Sequence, residues 1–111
     1  MDLNEARERI REIDGEMAAL FVKRMEAVEA VAAYKRAHGL PIEDKAQEAR
    51  VIEAGSERIA DEALRPFYVQ FLQETMEVSK RWQRRLLDEA RSAERGVHTQ
   101  PRPGNETAVK A

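Results

Sequence analysis

The chain has 111 residues, with 36% charged side chains of both signs and a formal net charge of -2. That length allows one domain with a modest core, and the near balance of charge gives no electrostatic footing for nucleic acid or a membrane surface. With no cysteine and only two histidines, His38 and His98, far apart in the chain, neither a disulfide framework, a thiolate nucleophile nor a metal centre is expected.

Leu3 to Lys35 reads as one unbroken amphipathic helix. Apolar or small residues recur at Leu3, Ala6, Ile10, Ile13, Met17, Leu20, Ala27, Val31 and Tyr34, on the three-and-four spacing of one helical face. Asp2 or Asn4 caps the start. The helix ends near Ala37, where Gly39 suits a left-handed cap and Pro41 prevents continuation. At ~1.5 Å per residue it runs about 50 Å, beyond the ~30 Å of a small domain. The rest of the chain cannot cover such a stripe, so a second copy is expected to cover the remainder. One stripe position is a cation, Arg24, in the slot between Leu20 and Ala27. Lys35 follows at a separation that, at ~100° per residue, leaves it only ~20° further round the helix. Burying a cation is costly unless something anionic meets it.

Glu43 or Asp44 opens a second, shorter helix to about Glu57. Val51 and Ile52 are its main apolar contacts, and Gly55-Ser56 is expected to loosen its end. Residues 59–63 form a connection. A third helix starts near Leu64, with Pro66 harmless in its first turn. Its stripe is Leu64, Phe67, Tyr68, Phe71, Leu72, Met76, Ser79, Gln83, Leu86 and Leu87, turning polar at Ser79 and Gln83. From about Ser92 the pattern fades into Gly and Pro with few large apolar residues, so 1–91 reads as one helical domain and 92–111 as a disordered tail. Nothing along the chain alternates like a strand. No apolar run approaches the ~20 residues of a membrane span and no signal peptide opens the chain, so a cytoplasmic protein is expected.

Arg24, Lys35, Ser79 and Gln83 are thus polar residues on or beside apolar faces. On the second helix Asp44, Gln47 and Glu48 share a face through i, i+3 and i+4 spacing. Each has a simpler role open to it: a snorkelling Arg, a Lys complementing the helix dipole, an Asp cap, exposed stripe edges, a solvated Glu. Together they can line one pocket suited to a small polyanion carrying hydroxyl groups. Arg7 lies roughly 25 Å from Arg24 along the same helix, at ~1.5 Å per residue. It is out of reach of that pocket in its own chain, but an antiparallel partner helix could bring it there.

At these residues the sequence resembles the all-helical chorismate mutases. Arg7, Ile10, Ile13-Asp14, Leu20, Arg24 and Lys35 look like that family's opening helix. Gly39-Leu40-Pro41-Ile42, Asp44 and Glu48 look like its second-helix entry, and Ser79-Lys80-Arg81-Trp82-Gln83 like the site end of its third helix. The resemblance spans about Leu3 to Leu87. It implies three helices per chain, an intertwined homodimer with two shared sites, and conversion of chorismate to prephenate without metal or cofactor. It also implies roles: Arg24 and the other copy's Arg7 hold substrate carboxylates, Lys35 and Gln83 bond the ether oxygen, Asp44 and Glu48 position the hydroxyl, and Ser79 lies beside a carboxylate. One position departs. The family usually carries Arg where this chain has Gln47, so one carboxylate grip loses its charge unless Arg50 or Lys45 compensates. Isochorismate–pyruvate lyase on the same fold, and a non-catalytic dimerising or regulatory helical module, are the alternatives.

Overall fold

The computed structural model describes residues 1–96, which form an all-α arrangement of three helices: α1 (Leu3–Ala37), α2 (Lys45–Glu57) and α3 (Arg65–Glu94). Most of the expected tail, 97–111, lies outside the described residues.

Local chemistry sets each boundary. The Asp2 carboxylate accepts from the Glu5 N–H at 2.8 Å and caps α1. At the other end Gly39 takes φ 63°, and the Leu40 N–H reaches back to the Lys35 carbonyl at 2.8 Å. This is a Schellman closure, which turns the chain back over the last turn of α1. Asp44 caps α2 by accepting from the Gln47 N–H at 3.1 Å. The α2–α3 connection is held by Arg65, whose Nε and Nη2 both donate to the Ile59 carbonyl at 3.0 and 2.9 Å. No side-chain hydrogen bond caps α3, which carries Pro66 in its first turn.

α3 is the central element, packed against both α1 and α2. Two expectations change here. Gly55 does not loosen the end of α2, which runs to Glu57 as expected, because it is packed against α3. Gly55 is buried where α2 crosses α3, and an added Cβ would stand 2.3 Å from Leu72 Cδ1. The glycine permits close approach of the two helices. α3 also runs on to Glu94, past Ser92 where its periodicity fades, and Glu94 pairs there with Arg36 of α1.

The apolar stripes are largely uncovered in one chain. Ile10, Leu20 and Phe21 on α1 are 57%, 62% and 52% exposed, and Leu64 just before α3, with Phe67 and Phe71 on it, are exposed as well. The α1 residues withdrawn from solvent instead include Met25, Val28 and Ala32, with Val28 the one buried residue of the helix. At ~100° per residue that face lies about a quarter turn from the stripe. Among the described residues the buried side chains are therefore mostly polar: Ser79, Lys80 and Gln83 beside Val28 and Met76.

Candidate active site

Arg24 and Lys35 stand at the seam between the α1 face on α3 and the exposed stripe. Opposite them α3 presents Met76, Ser79, Lys80 and Gln83, and α2 closes the side with Asp44, Gln47, Glu48 and Val51. These residues, with Ile42, Val28 and Val31, line one cleft of about 160 Å³. Seven of the eight residues singled out in the sequence converge there. Arg7, near the far end of α1, does not line it.

The Arg24 guanidinium donates from Nη1 to Ser79 Oγ. The Ser79 hydroxyl in turn donates to the Thr75 carbonyl at 2.9 Å, which leaves its oxygen lone pairs toward the arginine. The Lys35 ammonium donates to the Ile42 carbonyl at 2.7 Å. The Schellman turn after α1 brings that carbonyl within reach, and two of the three ammonium donors are left over. Asp44 is both the α2 cap and a cleft residue. Gln47 accepts from Arg50 Nε at 3.0 Å through its carbonyl oxygen, so its NH2 group is the end left to donate. Arg50 itself is exposed and does not line the cleft. Gln83 is 7% exposed, and its Oε1 is buried without a hydrogen-bond partner.

Lys80 was not singled out in the sequence. Its side chain is 9% exposed, and its ammonium lies 2.8 Å from Glu77, 3.0 Å from Glu48 and 3.5 Å from Glu43. These hydrogen bonds, first to Glu77 and then to Glu48, raise its pKa above the ordinary 10.5. The Glu77 carboxyl, bonded to Lys80, is held below the ordinary 4.5. The signal that identifies Arg24 identifies Lys80 too: it follows Met76 by four residues and precedes Gln83 by three, a cation on a buried stripe.

Residues 6–84 match the family model for chorismate mutase type II. The chain belongs to that family. Comparison with curated proteins gives no match, and comparison with solved structures gives none. The matched segment of this chorismate mutase family member contains Arg7 and every charged or polar residue of the cleft. Among the described residues, no group of three or more His, Cys, Asp or Glu side chains is placed to hold a metal ion, and no helix is long and apolar enough to cross a membrane.

Proposed function

We propose that the chain catalyses the rearrangement of chorismate to prephenate, the branch-point step toward phenylalanine and tyrosine. The observation that carries this reading is the convergence in one cleft of two α1 cations, the α2 carboxylates and the α3 hydroxyl and amide. The reaction is unimolecular and pericyclic. One C–O bond breaks as one C–C bond forms, with no nucleophile and no proton transfer. A protein accelerates it by holding the dianion in a compact chair-like conformer and by stabilising negative charge that grows on the ether oxygen. A millionfold acceleration corresponds to about 8 kcal/mol, within reach of those two effects together.

Each residue then has a part. Arg24, steadied by Ser79, grips a carboxylate in a charge-assisted bond. Lys35 and the Gln83 amide donate to the ether oxygen, where their bonds strengthen only as the transition state forms. Asp44 and Glu48 accept from the substrate hydroxyl. Gln47 offers a neutral NH2 donor where a cation would grip harder. Arg7 of a second copy completes the grip on the dianion, making the homodimer the catalytic unit.

Chelator-treated protein tests this by loss of chorismate absorbance and identification of the product. Conversion to prephenate is expected, with kcat reduced about 10²-fold in Lys35→Ala, the usual cost of removing one donor to a developing oxyanion. Release of pyruvate from isochorismate with chorismate untouched would make the chain a lyase instead. Turnover of neither would make it a non-catalytic helical module.

A further inference from the structure

Lys80 has no part in the mechanism above, yet it is among the most buried side chains among the described residues and lines the same cleft. The charges facing the cleft come from all three helices: Arg24 and Lys35 from α1, Asp44 and Glu48 from α2, Lys80 from α3. Behind them Glu43, just before α2, and Glu77 of α3 also reach Lys80. With Lys80 the lining carries three cations against two carboxylates. Of the three carboxylates around Lys80, Glu48 is the one that lines the cleft. Lys80 holds Glu48 Oε1 at 3.0 Å, while Oε2 of the same carboxylate is buried with no hydrogen-bond partner. A buried carboxylate oxygen left without a donor is costly and marks a place where a donor is wanted.

We propose that Lys80 is a positioning residue that acts through Glu48. It clamps Oε1 and neutralises the carboxylate, so that Oε2 accepts the hydroxyl of a dianionic substrate that a bare Glu48 would repel. This deepens the functional reading above and rests on it. Lys80 never touches the reacting atoms. Its loss is felt as weaker substrate binding and only secondarily in the chemical step.

A double-mutant cycle on the full chain tests this, with chorismate as substrate. Lys80→Met is expected to raise KM about tenfold or more with a smaller change in kcat, since a carboxylate deprived of its partner both repels the substrate and loses its orientation. In a Glu48→Gln background the same change is expected to cost less than about twofold, because the group it acts through is gone. Lys80→Arg is expected to restore most of the lost KM. If circular dichroism shows Lys80→Met unfolded, Lys80→Gln, which keeps a hydrogen bond to Glu48 without the charge, takes its place with the same expected rise in KM. Equal KM penalties in the two backgrounds, or a folded Lys80 variant with wild-type KM, would overturn the proposal and leave the mutase reading intact. Wild-type protein that leaves chorismate unchanged would overturn both.

Discussion

At the scale of single residues, position 47 sets the strength of the substrate grip. Gln47 lines the cleft with its carbonyl engaged by Arg50 and its NH2 group left to donate. An arginine there would add a full positive charge and a bidentate fork to a grip that Gln47 makes with a neutral amide. Gln47→Arg is therefore expected to lower KM about tenfold, equivalent to ~1.4 kcal/mol, with kcat little changed. The new cation beside Arg50 costs only a few tenths of a kcal/mol, too little to cancel that gain. The effect should shrink at high salt if the cleft is open to water. Steady-state kinetics decide it, and an unchanged KM would place residue 47 out of the substrate's reach. The Lys80 cluster makes a second prediction, in stability. Glu77 has a folded pKa below its ordinary 4.5, so its contribution is present above that value and lost as pH falls through the lower folded one. Lys80 has a raised pKa, so its contribution is complete below 10.5 and lost only as pH rises through the higher folded value. The Tm difference between wild type and Lys80→Met should thus be level through neutral pH and shrink well below pH 4.5. A difference that persists unchanged into strong acid would mean that Lys80 stabilises by packing its stem, not by its charge.

At the scale of the helices, two glycines in similar surroundings of sequence play opposite parts. Gly15 lies in mid-α1 with nothing within 4 Å of an added Cβ. It points away from the apolar stripe, since two residues from Ile13 or Met17 is about 200° round the helix. Gly15→Ala is expected to stabilise the protein by about 0.8–1 kcal/mol, the helix-propensity difference. Gly55→Ala gains the same propensity but drives its methyl to 2.3 Å from Leu72 Cδ1, with Tyr68 Cε2 at 3.6 Å behind it. Overpacking of that kind costs about 1–3 kcal/mol, so the net effect should be a loss of about 1 kcal/mol. Urea unfolding of the two variants checks both signs. A stabilised Gly55→Ala protein would show that α2 and α3 part easily, and the α2 wall of the cleft would then be softer than its packing implies.

At the scale of the molecule, the radius of gyration of 17.5 Å exceeds the about 13 Å of a compact domain of roughly 100 residues. The extents of 57 × 33 × 17 Å describe a thin, elongated body. Its apolar stripe on α1, from Leu3 through Leu20, faces away from α3. Contiguous exposed apolar surface of this kind marks an association site. A homodimer is the proposed solution, and an antiparallel partner helix in it would bring Arg7 to the other copy's cleft. Sedimentation equilibrium at micromolar concentration should give twice 12.7 kDa. Arg7→Ala and Arg24→Ala should each be inactive alone and recover activity on mixing, because a mixed dimer has one cleft with both changes and one with neither. Absence of recovery after confirmed subunit exchange would mean that each cleft works within its own chain.

Helix number, caps and every boundary but the end of α3 were legible in the chain because they depend on neighbours in sequence: Asp2, Gly39, Asp44 and Pro66 act within a few residues of where they stand. The candidate site was legible where a polar residue interrupts an apolar period, as Arg24, Ser79 and Gln83 do, since a misplaced charge needs a partner wherever the helix packs. Lys80 carries the same signal but sits in a run of charged and polar residues, Ser79 to Arg85, where its i+4 relation to Met76 is easily overlooked. Other features were decided by tertiary structure alone. Periodicity finds an apolar face but not what lies against it, and α1 turned a quarter turn from its stripe to meet α3. The tight crossing at Gly55, the carbonyl of Ile42 on Lys35 and the approach of Glu43 and Glu48 to Lys80 join residues far apart in the chain or brought together by a turn. Their energies depend on distances that no local rule of spacing contains.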